Sequence, residues 1–187
     1  MTRNEESTTM RFIDPHHDGW QAVIGEVGGM PTNDPCANRL FTLEQWRAVR
    51  YHWPRMAHTG VIVPNDAEIE TLEADLPRLA LIALQFPKWV DGRAYSQARL
   101  LRSRLRYGGE VRATGEVLVD MLPLLQRTGF DAVAMRADQS RDAAERALGF
   151  FRGHYQGDAL DNRPLFALPP GTVEARESEF VNAGASI

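Results

Sequence analysis

Cys36 is the only cysteine among the 187 residues of this chain. One thiol excludes an internal disulfide and a Cys-x-x-Cys redox pair. It also excludes an iron–sulfur cluster built from this chain alone, since such clusters generally take four ligands. Cys36 stands in Asn33-Asp34-Pro35-Cys36-Ala37-Asn38, a loop pattern that places no base beside the thiol. Long apolar runs are also missing. No stretch approaches the ~18 residues of a membrane span, and the amino terminus lacks a secretory apolar core. These absences point to a soluble, cytoplasmic protein. Basic excess is absent as well: the net charge is -4 and the pI about 5.7, so no nucleic-acid partner and no membrane surface is expected.

Several reaction signatures are missing. There is no Gly-x-Ser-x-Gly elbow, no phosphate-binding Gly-x-x-x-x-Gly-Lys loop and no His-Glu-x-x-His helix. Gly25-Glu26-Val27-Gly28-Gly29 resembles a dinucleotide loop only superficially, because Pro31 and Pro35 follow where a helix would have to open. The histidines are His16, His17, His52, His58 and His154. None has metal-ligand spacing, and an adjacent pair such as His16-His17 points to opposite faces of a strand. No metal site is expected, and no cofactor is identified.

The composition present is that of a globular protein, with 43% hydrophobic and 25% charged residues. Trp20 to Ile24 reads as a short strand. Thr42 to Tyr51 reads as a helix, with Thr42 and Gln45 in a capping-box pattern and Phe41 and Trp46 at staple positions. Gly60 to Val63 is a strand and Ala67 to Leu76 a helix whose Ile69, Leu72 and Leu76 share one face. The alternation then becomes regular. Strands at Ala80–Phe86, Glu110–Ala113 and Phe130–Met135 alternate with helices at Ala94–Leu105, Val117–Arg127 and Ser140–Arg152. This predicts an α/β fold with a mainly parallel sheet of about four to six strands and flanking helices, either open and doubly wound or a partial barrel. The expected organisation is an amino-terminal region over 1–57, a βα-repeating core over 58–156 and a flexible tail over 157–187.

Parallel sheets gather function beyond the carboxyl ends of their strands. The loop Phe86-Pro87-Lys88-Trp89-Val90-Asp91-Gly92-Arg93-Ala94-Tyr95-Ser96 offers Lys88, Asp91, Arg93, Tyr95 and Ser96. A second loop offers Arg112, Thr114 and Glu116, with Asp120 one turn on. A third offers Arg136 and Asp138. Guanidinium and carboxylate together suit a planar oxyanion, and helix amino termini at Gly92 and Gly115 would add N–H donors. The expected ligand-binding set is therefore Asp91, Arg93, Tyr95, Ser96, Arg112, Glu116 and Asp120. The bland alternative is that Asp91 caps a helix and Arg93 pairs structurally with Asp91 or Glu116. Arg99, Arg102 and Arg106 share one helix stripe, which either docks an acidic partner or is simply the solvated face. Of the four tryptophans, Trp20, Trp46 and Trp53 read as packing residues, and only Trp89 is placed to line a pocket.

The ordered run from Phe86-Pro87 through Asp91-Gly92-Arg93-Ala94-Tyr95-Ser96 and Arg99-Leu100-Leu101-Arg102 resembles a bacterial family. The likeness continues through Gly109-Glu110-Val111-Arg112-Ala113, Gly115-Glu116-Val117-Leu118, Asp120 and Gly129-Phe130-Asp131. The family is domain-of-unknown-function nine-thirty-four, often labelled an oxidoreductase of sulfite reduction, and the resemblance covers about residues 58 to 156. Met121 stands where that family commonly has glutamine, and Thr128 where it commonly has cysteine. The resemblance implies an auxiliary protein of assimilatory sulfate or sulfite reduction, here with a small oxyanion at the strand carboxyl ends. One competing reading is a non-catalytic partner that docks on sulfite reductase through the arginine stripe. Another is an enzyme that borrows a flavin or nicotinamide cofactor.

Overall fold

The computed structural model describes residues 10–14, 17–23, 38–150, 157–159 and 163. Cys36, His16, His154, the glycine group at 25–29 and most of the expected tail lie outside them. Seven strands form one sheet: β1 (Arg11–Phe12), β2 (Gln21–Ala22), β3 (Arg39–Thr42), β4 (Thr59–Val63), β5 (Leu79–Phe86), β6 (Glu110–Gly115) and β7 (Ala132–Val133). Their spatial order is β1-β7-β6-β5-β4-β3-β2, and every pairing is parallel. From β2 to β7 each strand lies beside its predecessor, so right-handed crossovers keep the helices on one face and the sheet curls into a half-barrel. There is no reversal of strand order, which rules out the doubly wound alternative.

The central strands β4 and β5 are apolar almost without break because both faces are covered. Val61, Val63, Ile82, Leu84 and Phe86 face the helix layer, while Leu81 and Ala83 on the opposite face are also fully buried. Four helices flank the sheet among the described residues: α1 (Leu43–Val49), α2 (Arg93–Arg99), α3 (Leu122–Thr128) and α4 (Arg141–Phe150). None is long and apolar enough to cross a membrane.

The expected capping box is present. Gln45 N–H donates to Thr42 Oγ1 at 3.2 Å, and Thr42 N–H donates to Gln45 Oε1 at 2.9 Å. Phe41 and Trp46 pack at 6.0 Å between ring centroids, and Trp53 meets Phe41 edge-on at 4.9 Å.

Three expectations change. The stretch read as a helix from Ala67 to Leu76 is two short 3-10 turns, Ile69–Leu72 and Leu76–Arg78. Glu68 gives the first turn no side-chain cap, Asp75 turns its carboxylate to Arg50 at 2.9 Å, and Pro77 disfavours α geometry at Leu76. The apolar trio is nonetheless buried as one face. The helix after β5 widens into a π-helical stretch at Leu100–Arg104. The strand count exceeds the upper expectation by one: β1 and β2 have two residues each, and β3 lies directly against a helix cap.

β1 and β2 sit on opposite edges, so their connection crosses the sheet. It runs over the face away from the helices. Asp18 Oδ2 accepts from Arg112 Nη1 on β6 at 2.6 Å, and the Trp20 ring lies 3.1 Å from where a Cβ on Gly60 of β4 would stand. Residues before 58 thus supply three strands and a strap to the same sheet as the rest.

Candidate functional site

The loops after β4, β5, β6 and β7 share one rim at the strand carboxyl ends. Asp91 closes the loop after β5. Its carboxylate accepts Arg93 N–H at 3.2 Å and pairs with the Arg93 guanidinium at 3.0 and 2.7 Å. These bonds, led by the guanidinium, hold the Asp91 carboxyl well below the usual carboxylate range. Trp89 and Val90 in the same loop are 55% and 65% exposed, so Trp89 lines no enclosed pocket. Lys88 and Ser96 are exposed beside them.

Tyr95 is half buried. Its ring stands edge-on to Phe86 at 5.1 Å and to Phe130 at 6.4 Å. Burial, and then the charge of Asp120, pushes its phenol up to about 12.

The second and third loops do meet. Arg136 reaches back from the end of β7 to Glu116 Oε2 at 3.0 Å and grips Asp138 through Nε at 2.6 Å and Nη2 at 2.7 Å. The guanidinium, helped by Gln139, brings the Asp138 carboxyl down to about 2. Gly115 makes that turn possible. Its φ is +96°, and a Cβ there would stand 2.5 Å from the Phe86 carbonyl oxygen. Gly115 opens no helix, however, so it supplies no helix amino terminus for an anion. The chain passes through a 3-10 turn at Val119–Met121 before α3 begins. Gly92 is the N-cap of α2.

Arg112 is not on this rim. It points from the middle of β6 to the strap side, with only 4% of its side chain exposed, and pairs with Asp18 at 2.6 Å and Glu110 at 2.8 Å. Among the described residues no hydrogen bond or ion pair joins Arg93 to Arg112, and each has its own carboxylate. Thr114 bonds back to the Leu84 carbonyl at 3.3 Å.

The arginine stripe is also broken up. Arg99 and Arg106 are exposed, but Arg102 is 5% exposed and serves an interior network. Its π-helical position turns the side chain inward, to the carbonyls of Tyr107, Gly109 and Gly129 and the carboxylate of Asp131. The sequence carried no cue to these partners, which lie up to 29 residues away.

A cavity of about 540 Å³ opens at the rim between the start of α3 and α4. Leu118, Val119, Pro123, Ala147 and Phe150 give it apolar walls, and Asp120, Arg136 and Gln139 supply the polar groups. Gln139 went unnoticed in the sequence. It accepts Val119 N–H at 3.1 Å and so ties the third loop to the second. Among the described residues no group of three or more His, Cys, Asp or Glu side chains could hold a metal ion. His17 is exposed and pairs with Asp14 at 2.7 Å.

The match to a family model decides the affiliation. The bacterial family of unknown function (DUF934) matches over residues 60–166. The chain belongs to this family. No curated protein matches it. The matched span begins within β4 and takes in the rim, the cavity and the Arg102 network, while β1, β2, β3 and α1 fall outside it. The Asp18–Arg112 pair therefore links the family core to the preceding region. Met121 and Thr128 both have structural duties here. Met121 Sδ accepts Leu118 N–H at 3.3 Å, and Thr128 Oγ1 donates to Leu124 O at 2.9 Å.

Proposed function

We propose that this protein is an auxiliary, non-catalytic component of assimilatory sulfate or sulfite reduction that docks on a basic surface of an enzyme such as sulfite reductase. The pathway rests on the family resemblance. The mode of action rests on the charge of the rim, the observation that carries this reading. The loops carry Asp66, Asp91, Glu116, Asp120 and Asp138 against Lys88, Arg93 and Arg136, so the rim is net acidic around the exposed Trp89 and Val90. An exposed tryptophan ringed by charge is the composition of an interface anchor. A free dianion would have to displace a carboxylate from each guanidinium, which makes the oxyanion reading the second one.

The test mixes the purified chain with purified sulfite reductase and follows the complex by gel filtration at low and high salt. Binding that falls with salt, and falls again in Trp89→Ser and Asp138→Lys, supports docking. No complex with sulfite reductase or with the other enzymes of sulfate reduction overturns it. The oxyanion reading is tested separately by thermal melts with sulfite and sulfate. A ligand at ~100 times its Kd adds about 2.7 kcal/mol, and an unshifted melt rejects it. Deleting the gene tests the pathway: growth should fail on sulfate and recover on cysteine.

A further inference from the structure

The geometry points to a second binding function: the cavity between α3 and α4 takes a small organic cation, a primary ammonium carried on an apolar stem. Three observations carry it. The cavity, at about 540 Å³, lies within the ~300–1,000 Å³ of small-molecule sites, and most of its walls are aliphatic or aromatic. Arg136 is already committed to Glu116 and Asp138, so it offers the cavity little net positive charge. Asp120 has no cation paired with it among the described residues, and its field reaches as far as the Tyr95 phenol.

An apolar recess with one uncompensated carboxylate at its edge selects a ligand by sign. An ammonium group can donate to Asp120 while its stem displaces water from Val119, Pro123 and Ala147. A carboxylate on the same stem meets Asp120, the one carboxylate among the described residues that lines the cavity, while the Arg136 guanidinium there is already paired with Glu116 and Asp138. Sulfate and sulfite have no apolar part to bury and carry the wrong charge. This inference does not depend on docking: the cavity's preference can be measured on the isolated chain, with no partner present.

The experiment titrates phenethylamine, 3-phenylpropionate and 2-phenylethanol into the full chain and follows backbone amide shifts by NMR. Saturable shifts at Val119, Asp120, Gln139 and Ala147 are expected with the amine. The alcohol should bind more weakly and the carboxylate not at all. Asp120→Asn should weaken the amine roughly tenfold, the loss of about one charge-assisted bond. Ala147→Trp fills the recess and should abolish the shifts while circular dichroism shows the fold retained. No saturable shift with the amine at millimolar concentration overturns the inference. So does equal affinity for the Asp120→Asn variant, or a preference for the carboxylate.

Discussion

Arg102 and Asp131, 29 residues apart in sequence, form an ion pair inside the protein on the side of the strand amino ends, opposite the rim. Only 3% of the Arg102 side chain and 12% of the Asp131 side chain are exposed. The guanidinium also donates to the carbonyls of Tyr107 at 2.6 Å, Gly109 at 2.8 Å and Gly129 at 2.9 Å. Asp131 in turn accepts Val111 N–H at 2.8 Å. One arginine thus joins the end of the π-helical stretch, the start of β6 and the end of α3. Its spacing with Arg99 and Arg106 alone predicts an outward-facing stripe.

Breaking that pair should be expensive. Arg102→Ala leaves a buried carboxylate and three carbonyls without their donor, a loss of about 3–5 kcal/mol. Asp131→Asn keeps an acceptor for Val111 and should cost less. Because the two groups share one network, the double variant should be far from additive. Urea unfolding of the four proteins checks this. A midpoint for Arg102→Ala close to wild type would show the pair to be dispensable.

Two glycines should resist substitution for different reasons. Gly115→Ala drives a Cβ to 2.5 Å from the Phe86 carbonyl oxygen at φ +96°, and that obstacle is backbone within a central strand pair. Gly129→Ala at φ +99° meets Arg102 Cγ at 2.5 Å, a side chain pinned by its own bonds. Each should cost about 1–3 kcal/mol or more from conformation alone. Gly108→Ala has nothing within 4 Å of the added carbon and is the control. Thermal melts of the three variants order the effects.

The rim carboxylates set an acid limb. A carboxyl whose folded pKa is depressed contributes stability above its unfolded pKa of ~3.9 and loses it as pH falls through the folded value. For Asp138 the window runs from that value down to about 2. Arg136→Gln should bring the Asp138 titration back towards the ordinary range. Arg93→Ala should likewise release Asp91, whose carboxyl the guanidinium now holds down. Carbon-13 NMR titration of the side-chain carboxyls reads both. The effect on stability is small, since Asp138 is solvent-exposed, Asp91 is only partly buried with an exposed guanidinium as its partner, and water screens both pairs.

Tyr95 reports on Asp120. Its phenol stands at about 12, chiefly through burial and secondarily through the Asp120 charge. Asp120→Asn should lower it while leaving it above ~10, because burial remains. Absorbance titration, with Tyr95→Phe as the difference reference, isolates this residue. An unchanged Tyr95 curve in Asp120→Asn would remove the electrostatic link.

Legibility in the sequence followed the range of the interactions. The Thr42–Gln45 box and the burial of Ile69, Leu72 and Leu76 as one face depend on neighbours a few residues away, and both were readable. Asp91–Arg93 was too, since a carboxylate two residues from a guanidinium needs no tertiary structure to find it. β1 and β3 were not. Strands of two and four residues carry almost no periodic signal, and their pairing is supplied by β7 and β4.

Local patterning therefore determined the α/β class, the parallel sheet and the loops that form the rim. Tertiary structure alone decided which side chains of β6 and of the π-helical stretch after α2 turned inward. β6 runs on to Gly115, so Arg112 lies mid-strand on the face away from the helices, where Asp18 from the crossing strap meets it. A π-helical widening turns Arg102 inward. Both outcomes depend on partners brought close only by the tertiary fold, and a linear pattern of charges contains no record of that distance.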